Sequence, residues 1–174
     1  GIIGISSNKP VLTDIINSLK KLEYRGYDSA GIATLSDGEI NEIKSEGRVD
    51  NLEQNFDLKN LKGNIGIGHV RWATHGIPNR INAHPHSSHN VSVVHNGLIE
   101  NSTLLKKILV GKGHKFKSQT DTEVIVHLIY KNLKTEELEE AVTQPMQQLH
   151  GRCAHVNVYK ALHASIGVAH ADWQ

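Results

Sequence analysis

Cysteine is nearly missing from this chain: Cys153 is the single one in 174 residues. That excludes an intramolecular disulfide framework and any CxxC zinc site. Long apolar runs are missing too, none approaching the roughly 20 residues that span a bilayer, and no basic-then-apolar leader opens the chain. The sequons at Asn90 and Asn101 are accordingly read as carrying no glycan. Charge of one sign is not in excess either, with 19 Lys plus Arg against 18 Asp plus Glu. A net +1 removes the electrostatic case for nucleic acid or an anionic membrane surface as partner. What remains is one compact, soluble α/β domain of a reducing, cytoplasmic compartment. Histidine, by contrast, is plentiful: 12 residues, five of them between His75 and His95.

The apolar pattern predicts a strand at 2–6 (IIGIS), then a helix after Pro10 built on Val11, Leu12, Ile15, Ile16, Leu19 and Leu22. Segments 29–36 and 39–45 read as a hairpin about Asp37-Gly38, and 48–58 as a weak helix. Strands follow at 64–70 and 91–95, separated by a loop of about twenty residues rich in Gly, Pro and His. Helices are predicted at 101–110, from Thr120, and at 135–149, the last disturbed by Pro145. Thr120-x-x-Glu123 fits a capping box, with Val124, Ile125, Leu128 and Ile129 as the buried face. The segment from His150 loses clear turns and allows a strand or two. Strands first and last with helices between make the chain α+β, in layered sheets covered by helices, rather than doubly wound.

Three polar clusters sit beside predicted strand ends. YRGYDSAG at 24–31 reads plainly as a helix terminus, Gly26 closing it. RWATHG at 71–76 groups Arg71, Trp72, Thr74 and His75, and Arg is suited to gripping a carboxylate with two parallel hydrogen bonds. His95-Asn96-Gly97 is either a tight Asn-Gly turn or an oxyanion site made by a side-chain amide and a backbone N–H. His84 and His86, at i and i+2, raise a metal hypothesis, but carboxylates at ligand spacing and HExxH are missing. Gly63-x-x-Gly66-x-Gly68 is not a phosphate loop, because no GK[ST] follows and no helix begins there.

Taken together the motifs GIIGI (1–5), LEYRGYDSAGIA (22–33), GHVRWATHG (68–76), NAHPH (82–86), VVHNGLIEN (93–101) and TDTEV (120–124) resemble one family. It is the class II glutamine amidotransferases, and within them the glutaminase domain of the glutamine–fructose-6-phosphate aminotransferases (glucosamine-6-phosphate synthases). The resemblance runs in order over residues 1–151. It implies an N-terminal-nucleophile hydrolase fold, a four-layer αββα sandwich. It also implies hydrolysis of glutamine to glutamate and ammonia, with the ammonia passed to a sugar-phosphate isomerase domain, and no cofactor.

The resemblance assigns roles residue by residue. The nucleophile is the thiol of an N-terminal cysteine, expected directly before Gly1. Arg71 receives the substrate α-carboxylate and Asp121 the α-ammonium. Trp72, Thr74, His75 and His84 line the glutamine site. Asn96 and Gly97 form the oxyanion hole, and Arg25 lies close to the nucleophile. His86, His89 and His95 are left with packing or solvent contact. Residues 152–174 depart from the family and are expected to be a divergent tail, frameshifted or truncated. A glutamine- or glutamate-binding fragment without turnover is the alternative if the cysteine is truly lacking.

Overall fold

The computed structural model describes residues 1–73, 76–159 and 165–172, with backbone alone for most of the last two strands. In chain order the elements are β1 (Ile2–Ser6), α1 (Leu12–Leu22), a 3-10 turn (Glu23–Arg25), β2 (Ser29–Ser36), β3 (Glu39–Glu46) and α2 (Asp50–Asn55). A second 3-10 turn (Leu58–Asn60), β4 (Ile65–Arg71), β5 (His86–Ser88), β6 (Val91–Ile99), α3 (Ser102–Gly111) and α4 (Glu123–Asn132) follow. The described chain closes with α5 (Leu138–Met146), β7 (Gly151–Tyr159) and β8 (Ser165–Asp172). The strands form two antiparallel sheets of four, ordered β1-β4-β2-β3 and β5-β6-β7-β8.

Strand alternation sends successive side chains to opposite faces, and the buried residues sort accordingly. On β2, Ala30 and Ile32 pack with Ile15, Ile16 and Leu19 of α1, while Ala33 and Leu35 face the other sheet. The seam between the sheets is made of Ala33, Leu35, Ile65, Ile67 and Val94, with Ile2 and Ile40 at its margin. The outer face of the second sheet, Val91, Val93 and Ile99, is covered by Leu105, Leu109, Val124, Ile125, Ile129 and Met146 of α3, α4 and α5. Helix, sheet, sheet, helix: these are the four layers the resemblance implied.

The glycine run has a packing role. A Cβ on Gly68 would stand 2.8 Å from Ile15 and 2.9 Å from Leu19, so bare backbone lets α1 lie close on β4. Four predicted features differ. Asn96-Gly97 is no turn, because β6 continues through it to Ile99. The loop after β4 contains the short strand β5. The weak 48–58 helix shortens to α2 plus its following 3-10 turn. The capping box is not made: α4 starts at Glu123, and Thr120 Oγ1 lies 2.9 Å from both Ser118 Oγ and His86 Nε2. Glu123 instead reaches back, accepting the backbone N–H groups of Lys117 (2.8 Å) and Ser118 (2.7 Å). Past position 151 the second sheet goes on, with Ile99 opposite Gly151 and Val91 opposite Tyr159.

Candidate active site

The C-terminal end of β4 and the middle of β6 meet at a cavity of about 300 Å³. Gly1 closes one side. Its amine donates to Val70 O (2.7 Å) and its carbonyl accepts from Val70 N (2.9 Å), so β1 pairs with β4 up to the first residue. Burial, and secondarily the charge of Arg25, lowers this amine to a pKa of about 6. Arg25 itself ends the first 3-10 turn and lines the same cavity, its guanidinium 5.2 Å from the Tyr24 ring centroid.

Arg71 is the last residue of β4, and its side chain is buried. Burial lowers its pKa from the ordinary arginine value, and the carboxylates of Asp121 and Asp28 oppose that shift. Asp121 reaches the cavity from the segment before α4, its Oδ2 accepting the backbone N–H of Ile99 at 2.9 Å. This side chain thus precedes α4 and is pinned to the end of β6. Trp72 lines the rim and is 65% exposed. Gly26 explains why the YRGYDSAG turn matters here: a Cβ there would fall 2.6 Å from Arg71 C and Trp72 N. The turn therefore presses directly on the Arg71–Trp72 peptide, at a glycine whose φ is 155°. Thr74 and His75 lie outside the described residues.

Asn96 faces the cavity from β6, beside Gly97. Its Oδ1 accepts the Nε2–H of His69 at 2.9 Å, and the same N–H is shared with His95 O at 3.1 Å. Two acceptors on Nε2 assign the proton to that nitrogen. With Oδ1 so engaged, the NH₂ is the part of the Asn96 amide left to donate into the cavity.

Behind Asn96 stands a wall of imidazoles. His69 stacks on His84 (centroids 4.3 Å apart), and His84 meets His86 edge-on at 4.7 Å. His95 N donates to His84 Nδ1 (3.3 Å), and His95 Nδ1 lies 2.9 Å from Thr122 Oγ1. Burial drives His69 and His84 well below the ordinary value near 6.5, and His86 to about 3. His95 is lowered by burial as well, with Asp121 opposing. The wall is therefore neutral at physiological pH. Among the described residues no three His, Cys, Asp or Glu side chains converge in a way that could hold a metal ion.

Motif reading thus finds Arg25, Arg71, Trp72, His84, Asn96, Gly97 and Asp121 on one cavity, and misses His69, Thr120 and Thr122. His95, given only a packing role above, lines it too. The missed signal for His69 was periodicity: it is two residues before Arg71 on one strand, hence on the same face. Asn82, in the NAHPH motif, was also passed over. Fully buried, it donates to Ile77 O (3.0 Å) and Gln119 Oε1 (3.1 Å) and accepts Gln119 N–H (2.9 Å). It ties the loop after Trp72 to the segment carrying Asp121.

With this geometry in hand, comparison with known proteins defines the class. The chain belongs to the glutamine amidotransferase domain family, which it matches over residues 70–164. Its fold is that of the N-terminal-nucleophile hydrolases. It superposes on the glutamine phosphoribosylpyrophosphate amidotransferase of B. subtilis with a TM-score of 0.81 and 30% identity, over 96% of this chain and 36% of that one. The class-II domain protein of Silicibacter pomeroyi, at 12% identity and a TM-score of 0.64, shares the fold.

Among curated sequences the chain is similar to glutamine–fructose-6-phosphate aminotransferase [isomerizing]. The Mesorhizobium japonicum protein is 49% identical over 161 residues, 92% of this chain and 26% of the relative. The Pyrococcus horikoshii protein is 50% identical over 162 residues, 91% of this chain and 27% of the relative. The chain thus spans about a quarter of the length of these relatives.

Proposed function

We propose that this domain hydrolyses the side-chain amide of glutamine to glutamate and ammonia, and that the ammonia serves synthesis of glucosamine 6-phosphate from fructose 6-phosphate on a sugar-phosphate isomerase domain. One observation carries the reading. A buried arginine, a fixed carboxylate and an oriented amide converge on the cavity where β1 begins. Arg71 offers a fork for the α-carboxylate, and Asp121 a charge for the α-ammonium. The substrate side chain then extends toward Asn96 and Gly97.

The nucleophile in this reading is a cysteine joined to the nitrogen of Gly1. The register supports it: Ile2 is opposite His69, so such a residue falls opposite Arg71 and points to the same inner face as Ile2, His69 and Arg71. Its thiol attacks the glutamine Cδ, and the carbonyl π-electrons move onto oxygen. Asn96 Nδ2–H and Gly97 N–H donate to that oxyanion. The C–N bond then breaks and the nitrogen leaves as ammonia, taking the thiol's proton from the α-amine of the cysteine. Water hydrolyses the thioester to glutamate and regenerates the thiol. An α-amine near pKa 8 and a thiol near 8.5 are closely matched for the first transfer.

The test is a glutaminase assay on the chain with cysteine ahead of Gly1, without fructose 6-phosphate. Slow release of glutamate is expected, abolished by alkylating the N-terminal thiol. Activity that survives complete alkylation overturns the mechanism. Glutamate binding with no turnover in the cysteine-bearing chain would leave the non-catalytic alternative.

A further inference from the structure

A second cavity lies on the helical face of the β5–β6 sheet, between the β5–β6 turn, the α3–α4 connection and the end of α4, with a volume of about 520 Å³. We propose that it binds a small, multiply charged oxyanion of the phosphate class. The proposal is independent of the glutaminase reading.

The first ground is charge. Lys112, Lys115, Lys117 and Lys134 line the cavity, and among the described residues no Asp or Glu does. Among the described residues none of the four ammonium groups is within ion-pair distance of a carboxylate. Elsewhere lysines do pair: Lys20 contacts Asp50 and Glu53, and Lys44 contacts Glu42. In a chain of almost balanced charge, four like charges gathered without a counter-charge repel one another, and an anion relieves this. The helix dipole accounts for Lys134 beside the C-terminus of α4, but not for the three lysines of the α3–α4 connection. Glu123 stands behind the floor with Oε1 3.7 Å from His127 Nε2, and it pairs with none of the four ammonium groups. Its oxygens already accept from Lys117 N, Ser118 N and Ser118 Oγ.

The second ground is the way the floor is built. The His89 ring stacks on Tyr130 at 3.8 Å, and His114 Nδ1 stands 3.2 Å from His127 Nδ1. His89 is held at φ +55°, in the left-handed region that few non-glycine residues adopt. At the tip of the β5–β6 turn, glycine or asparagine would be the unstrained choice. The strained residue delivers an N–H-bearing ring to the cavity. His114 already feels the field: burial, then the charges of His127, Lys134, His89 and Lys131, lower its pKa. Ammonium, imidazole and phenol donors around a concave space suit the oxygens of a compact anion. The lysines do not form the long stripe that would track a nucleic-acid backbone.

The experiment is calorimetric titration of the protein with inorganic pyrophosphate at low ionic strength, with the His114 Cε1–H resonance followed through a pH titration. One saturable site is expected, weakened by salt, together with an upward move of the His114 midpoint on binding. The exposed pair Lys112→Gln/Lys115→Gln should lose roughly tenfold or more in affinity at an unchanged melting temperature. Lys59→Gln, remote from the cavity, should lose nothing. The proposal is overturned by non-saturable binding, by equal affinity in the double variant, or by association with phosphatidylglycerol vesicles while pyrophosphate is ignored.

Discussion

His69 Nε2 stands 2.9 Å from Asn96 Oδ1, and this hydrogen bond decides which end of the Asn96 amide faces the cavity. A primary amide is nearly symmetric in shape, so sterics alone would not choose between its oxygen and its nitrogen. A donor placed behind it does. The burial of His69 keeps the imidazole neutral, so the orientation is held without bringing a second positive charge to the site.

Asn96→Ala should therefore lower kcat by on the order of 10²–10³ with little change in KM, since the charge it meets appears only in the tetrahedral intermediate. Steady-state kinetics on the cysteine-bearing chain decide it. An effect confined to KM would reduce Asn96 to a substrate contact.

His69→Ala should follow Asn96→Ala in direction and fall short of it in size, roughly tenfold in kcat, because the amide then samples both orientations. His69→Gln, which restores a donor, should recover part of the loss. Equal impairment of both His69 variants, tracking a fall in melting temperature, would mean that the ring matters only for packing.

The proposed Arg71–Asp121 clamp predicts ligand selectivity even without turnover. Glutamate should raise the melting temperature of the chain, and N-acetylglutamate, lacking a free α-ammonium, should do so less. Arg71→Lys should weaken glutamate binding and Arg71→Ala more so, because an ammonium offers no parallel pair of donors. Asp121→Asn should erase the difference between the two ligands. A wild type that responds equally to both would remove Asp121 from the clamp.

The buried imidazoles make stability fall with acid. His69, His84 and His86 are neutral when folded and titrate near 6.5 when unfolded, so the unfolded chain takes up protons first. Their contribution is intact above about pH 6.5 and is lost as pH drops toward the folded values, about 3 for His86. The slope is roughly 1.4 kcal/mol per pH unit for each imidazole. Urea denaturation at several pH values from 7.5 to 4.5 would reveal it, and a flat profile would show that the native protein tolerates these rings protonated.

Gly26→Ala tests the contact between the YRGYDSAG turn and the Arg71–Trp72 peptide. Its Cβ would meet backbone atoms of Arg71 and Trp72 at 2.6 Å, where no rotamer change can make room. Loss of glutamate binding is expected to accompany a drop in stability of roughly 1–3 kcal/mol. Unchanged binding would detach this turn from the site.

Much of this was legible because the motifs are local. RWATHG and VVHNG each carry their residues within a few positions, and strand and helix periods around them are regular. Other features were hidden for physical reasons. Asn96-Gly97 has the composition of a turn, but β7 on its far edge supplies partners that keep it in a strand. Thr120 and Glu123 have capping-box spacing, but buried His86 and the N–H groups of residues 117 and 118 compete for their oxygens and win. His69 is a lone histidine in a strand, and its importance comes from Asn96, 27 positions away.

That separation has a consequence for folding. Gly1 is paired with Val70, His69 with Asn96, and Asp121 with Ile99, so the cavity is held together by contacts spanning 22 to 69 positions. No hairpin or helix pair contains even half of it. Loops of such length close only after shorter-range structure has formed, so ligand affinity should emerge late in refolding, after secondary structure. A fragment ending before β6 should bind no glutamate however much helix and strand it retains. In this protein, occupancy of the cavity reports that β4 of one sheet and β6 of the other have come together.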